Sequence, residues 1–412
     1  MTPLLPLVPD IPTDRPLFRS EFVCLLVLAA ALPLVEIPKN LAWLGLVLAW
    51  LFNSLRSGNF GRAAPAWNCA FAALWLAPLI SIAAAPWTRH WDELGNHTIL
   101  LVTGALLVRT RVAARQRLAL AGVLIAATLA GIGHGVWAQH ARGRAFIELH
   151  SVGHVNHSAI YGVGVALLAA ALALACWSRA RAAARAALLF ANLALFGTVF
   201  AWQSRGALLA YLAGLLVLGA AWLRACRAPL WPALLGLVVA CGVALALNPA
   251  VLEKTRRYVA AGYLSAERVP ALRTSLELWR QQPWSGAGAG NFDQASPERV
   301  QAWRAARGEP FEATDFLFTN HGHSLYFNTL AERGLVGLLA LVCLGLPWLR
   351  WLLRGRPDAA TPVPALAWLG WGAGLAGFVV VFVAGLFNTT LHHEHGLLAM
   401  LLLGLMVQDP RA

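Results

Sequence analysis

The side chains able to do chemistry are concentrated in one polar stretch, Ala271 to Gly337, set between long apolar runs. It holds Arg273, then a run from Trp284 to Phe292 with Gly286, Gly288 and Gly290 at alternate positions, then Asn320, His321, His323, Ser324, Glu332 and Gly334. An imidazole at a helix entrance on an aqueous face can act as a general base near neutral pH, and His321 and His323 offer two. Alternating glycines can turn backbone amides toward an anion. The same pattern also suits a flexible turn, and no Gly-Lys-Ser/Thr follows to make it a nucleotide-phosphate loop. Upstream, the corner Gln203-Ser204-Arg205-Gly206 interrupts two apolar runs. An arginine so near hydrocarbon ordinarily has a partner or a ligand, or snorkels to the interface. Gly206 lets another backbone or a ligand come close. The run His392-His393-Glu394-His395 invites a metal reading. Adjacent residues rarely ligate one ion together, however, and this is no zinc-site spacing, so no metal is assigned.

The elements that must position these groups are membrane helices. Of 412 residues, 59% are hydrophobic and 12% charged, with mean hydropathy +0.62, which is not a soluble globular composition. About twelve apolar runs approach the length needed to cross a hydrocarbon core of ~30 Å. They centre on 22–36, 41–54, 66–84, 97–108, 118–137, 158–177, 186–202, 206–223, 230–248, 334–352, 363–386 and 395–408. The Pro-rich N-terminus lacks a signal-cleavage pattern, so the first run is expected to remain a span. The net charge of +13 is sorted by loop rather than spread. Arg15, Arg19, Arg56, Arg62, the 109–117 group, the 179–185 group, Arg224, Arg227 and the 350–356 group fall in alternate connections. That asymmetry puts both termini on the cytoplasmic side, and it argues against a nucleic-acid partner. All twelve histidines then fall on or near the opposite, outer face. The six cysteines are scattered without paired spacing, so neither a disulfide framework nor a Cys-ligated metal is indicated.

Three regions follow: an N-terminal bundle of about nine spans over 1–248, a long outer loop over 249–333, and about three C-terminal spans over 334–412. Within the loop, Pro270 can open a helix carrying Leu272, Leu276 and Trp279 and stopping at Pro283. Arg273 and Glu277 are four apart on it and can pair, with Arg280 nearby. Ser296-Pro297-Glu298 opens a second helix ending around Gly308. A third begins after His321 and carries Ser324 to Glu332. Short amphipathic helices on the outer surface, rather than a folded domain, are the expected form. The predicted spans lack mid-membrane Asp, Glu or Lys, which weakens an ion-coupled transporter reading. No Asp-x-Asp motif of a metal-dependent glycosyltransferase is present.

Taken in order, these motifs resemble the O-antigen ligase and polymerase superfamily of bacterial envelope enzymes. The matching pieces are Trp202 to Ala207, the segment Arg273 to Phe292, and His321 to Gly337, which is close to the family's His-Asn-x-x-Leu…Glu-x-Gly-x-x-Gly pattern with Ser324 in place of Asn. The first half matches in hydropathy and in the Gly153–Gly162 segment with His154, Asn156 and His157. The resemblance implies an all-α, GT-C-like integral membrane glycosyltransferase of the bacterial inner membrane, acting on the periplasmic face without a cofactor. Its substrates would be O-antigen linked to undecaprenyl pyrophosphate and a sugar hydroxyl of lipid A–core, within membrane lipids. Polymerase, protein O-oligosaccharyltransferase and, outside enzymes, a lipid or polysaccharide transporter are the alternatives. Arginine's planar fork suits phosphate oxygens. The implied catalytic residues are His323 as base, with Arg205 and Arg273 on the leaving pyrophosphate, and direct attack would invert the anomeric centre. His321, Arg268, Arg280, Gly288, Gly290, His154 and His157 are the implied substrate contacts.

Overall fold

The computed structural model of the chain describes residues 14–246, 253, 256, 260, 268–357 and 364–407. The expected boundary at 248/249 and the ends of the windows reaching 247–248, 363 and 408 lie outside these residues. In hydrocarbon, every backbone N–H and C=O must be satisfied within its own segment, so apolar runs become helices. The described residues contain no strand, only an isolated bridge between Pro16 and Arg111. The first nine helices are α1 (Arg19–Ala31), α2 (Glu36–Ser57), α3 (Pro65–Ala83), α4 (Trp91–Leu107), α5 (Ala114–Arg142), α6 (Val155–Cys176), α7 (Ala182–Ala201), α8 (Arg205–Ala225) and α9 (Trp231–Ala246). Two shorter ones follow, α10 (Arg268–Gln281) and α11 (Pro297–Ala305). The chain then forms α12 (Leu325–Arg354), α13 (Pro364–Phe378) and α14 (His393–Met406). Between the last two, α13 continues through a π turn, Val379–Val383, and a 3-10 turn, Ala384–Leu386.

Among the described residues, seven helices are long and apolar enough to cross a bilayer: α3, α5, α6, α7, α8, α12 and the stretch Leu366–Leu386. The other five expected windows also form helix. However, α1, α4 and α14 have 13, 17 and 14 residues, which at 1.5 Å per residue falls short of a core of ~30 Å, and α9 is described over 16 residues, up to Ala246. The remaining one, α2, has 22 residues, but Lys39, Asn40 and Asn53 within it leave it less hydropathic than the seven.

Helix α6 and the α13 stretch form the centre of the bundle. Tyr161, Val163, Leu167 and Leu168 are buried with Leu369, Ala373 and Val380, and Leu398 and Leu402 of α14 close over them. Rows such as Leu41, Leu44, Leu48 and Phe52 on α2, or Leu189, Phe190 and Leu193 on α7, are exposed. In so apolar a chain such rows suit contact with hydrocarbon, which would replace the partner that a soluble helix needs.

The segment between α9 and α12 departs from the expectation of separate surface helices. Leu278 of α10, Val300 of α11, and Ala287, Phe292, Ala295, Phe316 and Ala331 form a small apolar core of their own. Irregular chain carries several of these residues, so helical periodicity could not reveal them. Helix α10 is described from Arg268, two residues before Pro270. Helix α11 starts where expected, its Ser296 hydroxyl accepting the Arg299 N–H at 3.3 Å. The expected third helix is the first part of α12, which breaks at Gly334 (φ 60°, ψ −156°) before entering the bundle. The expected Arg273–Glu277 pair does not form. Glu277 is buried and pairs with Arg280, Arg304 and Arg307, while Arg273, on an exposed face, pairs with Asp315. Burial decides between the two, because a carboxylate removed from water draws the cations able to hydrogen-bond it.

Candidate functional site

The Gln203–Arg205 corner is held by its neighbours on either side. Trp202 is fully buried, its indole N–H donating to the Ile147 carbonyl at 2.8 Å. Its ring lies against Gly162 of α6 so closely that a Cβ there would come within 2.1 Å of it. Gln203 takes the left-handed conformation (φ 54°), which turns the chain sharply into α8. Gly206 abuts Phe387, whose Cβ would be 2.6 Å from any Cβ at that position. Arg205 is thereby fixed as the first residue of α8, at the positive end of the helix dipole.

The histidine turn is held equally firmly. The Ser324 hydroxyl donates to the Gly385 carbonyl at 3.2 Å, and the Leu325 N–H donates to the Asn388 carbonyl at 2.9 Å. The position where the family pattern has Asn thus serves here as an anchor to the chain beyond α13. Arg268, the first described residue of α10, donates to the carbonyls of His323 (3.2 Å) and Phe387 (2.5 Å) and lies over the Phe387 ring.

These elements meet around a cavity of about 290 Å³. Its lining includes His154 and His157, Arg205, Arg268, His321 and His323, joined by Phe387 and Asn388. The helices α6, α8 and α12 all begin at this wall, with His154, Ser204 and Ser324 as their N-caps. Helix N-termini carry partial positive charge, and with two guanidiniums they make a setting for an anion.

The imidazoles differ in their surroundings. His321 Nδ1 lies 2.6 Å from the Asn320 carboxamide oxygen; a proton on Nδ1 leaves Nε2 as the lone pair. Burial, then the proximity of His323 and His154, lowers its pKa to about 4. Burial also holds His323 below the ordinary imidazole value, followed by Arg268 and His154. His154 caps α6 through Nδ1, which accepts the Asn156 N–H at 3.2 Å. Behind the wall, His157 contacts the rings of His392, His393 and His395. Among the described residues no three His, Cys, Asp or Glu side chains are arranged to hold a metal ion.

Six residues singled out from the sequence therefore share one cavity: His154, His157, Arg205, Arg268, His321 and His323. Four do not line it. Arg273 pairs with Asp315, and Arg280 joins the Glu277 cluster. Gly288 and Gly290 sit in a loop whose amides are engaged internally. Those of Gly286, Ala287, Gly288 and Ala289 donate to the Gln282, Ala331 and Glu332 carbonyls and the Ser81 hydroxyl, respectively. Phe387 and Asn388 were missed. The available signal was the polar Asn388-Thr389-Thr390 break in an apolar run just before the four-residue histidine cluster.

Fold and cavity together define an all-helical membrane protein with a cationic, imidazole-lined cavity at the ends of its helices. Residues 190–342 match the family described as O-antigen ligase. Members are membrane glycosyltransferases of the O-antigen ligase and polymerase type. The matched segment contains Arg205, Arg268, His321 and His323, while the 154–157 and 384–388 walls lie outside it. No curated protein matches the chain.

Proposed function

We propose that the protein is an O-antigen ligase of the bacterial inner membrane. It would transfer O-antigen from undecaprenyl pyrophosphate to a sugar hydroxyl of lipid A–core on the periplasmic side. The observation that carries this reading is the meeting of Arg205, Arg268, His321 and His323 in one cavity within the matched family segment. A space of about 290 Å³ suits a diphosphate and the reacting sugar; the remaining glycan and the lipid chain would extend out of it.

In this mechanism the acceptor hydroxyl oxygen attacks the anomeric carbon as the bond from that carbon to the phosphate oxygen breaks. His323 takes the hydroxyl proton, and the electron pair leaves on pyrophosphate, whose charge Arg205 and Arg268 stabilise. One direct displacement inverts the anomeric configuration. His323 is preferred to His321 as base because a catalytic base works best with a pKa near the operating pH, and burial takes His321 down to about 4. The donor's diphosphate against Arg268 would also offset the charge that helps to depress His323. Arg268, rather than Arg273, takes the second phosphate role in this reading, because it lines the cavity. His154 and His157 contact the sugars from the α6 side.

The test is transfer by purified protein with undecaprenyl-pyrophosphate-linked glycan and lipid A–core, in the presence of excess EDTA. Laddered lipopolysaccharide, lost on His323→Ala, is the expected result. Elongated lipid-linked glycan without a ladder would instead identify a polymerase, and no product with any acceptor would return the transporter reading.

A further inference from the structure

His323 has a backbone conformation that needs support. Its φ of 51° lies in the left-handed region, which a side-chain-bearing residue holds only where its surroundings impose it. The preceding Gly322 N–H donates to the Asn328 side-chain oxygen at 2.8 Å. Asn328 lies in the first turn of α12, its own N–H bonded to the Ser324 carbonyl at 2.9 Å, so its carboxamide starts from a fixed point. The other end of that carboxamide donates to the Glu332 carboxylate at 3.0 Å, one helical turn further on. Only one orientation of the amide satisfies both contacts, since oxygen must face an N–H and nitrogen a carboxylate. Glu332 is buried, and its backbone carbonyl accepts from Gly288 at 2.9 Å. A continuous chain of hydrogen bonds thus runs from the glycine-rich loop through Glu332 and Asn328 to the backbone between the two cavity histidines.

We propose that Asn328 is a positioning residue, which Glu332 orients and which holds the His321–Gly322–His323 turn so that the His323 imidazole faces the cavity. The inference rests on the proposed role of His323 as base. Asn328 does not line the cavity, so its effect passes through the turn.

The test uses the full-length protein in detergent, with undecaprenyl-pyrophosphate-linked glycan as donor and lipid A–core as acceptor. Asn328→Ala is expected to lower kcat by ~10–100-fold, the scale of a misplaced reacting group, with KM for each substrate within about twofold. The acidic limb of the rate–pH profile should also move up toward the ordinary imidazole value of about 6.5 as the loosened turn exposes His323 to water. The charged and titratable groups facing His323 are Arg268 on α10, His154 at the start of α6, Arg205 on α8 and His321 in the turn itself, and all are retained in this variant. Glu332→Asp keeps the charge but shortens the reach to Asn328, and should lower kcat similarly. Glu332→Gln restores length and an acceptor oxygen, and should recover most of that rate. A wild-type kcat and pH limb in Asn328→Ala overturns the proposal, as does a change confined to KM. If Asn328→Ala does not fold, the Glu332 pair decides: equal rates in Glu332→Asp and Glu332→Gln overturn the proposal. His323→Ala is run in parallel. If it is active, the reading of the site itself fails; if it is inactive while Asn328→Ala is normal, only the positioning role fails.

Discussion

The glycine-rich loop at 284–290 and the cavity wall at 202–206 are both glycine-bearing turns, yet the structure uses them in opposite ways. In the loop, the backbone is the working part. Gly286 (φ 70°) and Gly334 (φ 60°) approach so closely that a Cβ on Gly286 would lie 2.2 Å from the Glu332 carbonyl carbon, and one on Gly334 would lie 2.3 Å from the Trp284 oxygen. The loop's amides close onto the α12 break, and the result is a lock. At the corner, the backbone is only a mount: Trp202 and Gly206 fix it against α6 and Phe387, and the side chain of Arg205 lines the cavity. The more conspicuous glycine pattern is therefore the structural one. A turn whose amides bond within the protein is a structural lock, whereas a turn held by its flanks can set a side chain along the cavity wall.

If that contrast is right, cavity substitutions should remove rate without stability. His323→Ala should lower transfer by ~10²–10⁴-fold, the usual contribution of a positioned general base. Arg205→Ala should cost ~10²–10³-fold, comparable to losing one preorganised donor to developing negative charge. Thermal denaturation in detergent should stay within a few degrees of wild type for both, and rate is read from lipopolysaccharide laddering. A large drop in melting temperature with unchanged rate per folded molecule would reverse the contrast.

The lock should respond in the opposite way. Gly334→Ala forces a side chain into a positive-φ position already filled by the Trp284 carbonyl. Backbone strain of this kind costs about 1–3 kcal/mol, and the overlap with the Trp284 carbonyl adds to it. Melting temperature and folded yield should fall, while the rate per folded molecule changes much less. A stable Gly334→Ala protein with no transfer would show that the loop takes part in chemistry after all.

The pH response separates the regions more finely. In the proposed role His323 would serve as a base only when neutral, and its folded pKa lies below the ordinary value. The rate should therefore hold down to about pH 6.5 and fall on a limb below it. Stability carries the same sign. His321 ionises at about 4 in the folded protein, against about 6.5 when unfolded. Its contribution is thus complete above pH 6.5 and is lost as pH falls through about 4. Measuring rate and melting from pH 4.5 to 8 tests both; a rate limb centred above 6.5 would count against His323.

Much of the site was legible because its parts are local. The Ser-Arg-Gly corner and the His-x-His entrance declare themselves by polar residues interrupting apolar runs, and Ser296-Pro297 marks a helix start by cap chemistry alone. Two things were not legible. The choice between Arg268 and Arg273 depends on which face of α10 turns toward the cavity, and both lie on the same polar helix; five residues rotate a side chain by about 140°. Phe387 and Asn388 reach the site only because the turn after α13 folds back onto the start of α12, a contact over sixty residues that no local pattern encodes. The spans were harder to bound because α1, α4 and α14, at 13, 17 and 14 residues, are shorter than a crossing requires, which apolar runs in the sequence do not reveal.

The smallest expected effect is also the most direct test of that arginine choice. Arg273 and Asp315 form an exposed pair, with side chains 47% and 53% accessible. Pairs of this kind contribute ~0–1 kcal/mol. Arg273→Ala should therefore leave melting nearly unchanged and lower transfer by less than about fivefold, since 1 kcal/mol corresponds to about that factor. Arg268→Ala removes a cavity side chain and its bonds to the His323 and Phe387 carbonyls, and should lower transfer far more. The two substitutions delete the same charge from the same helix, five residues apart, so long-range electrostatics should change nearly equally in both. A difference between them measures contact with the reacting groups. Equal losses would mean that α10 rotates when the donor binds and brings Arg273 to the phosphate.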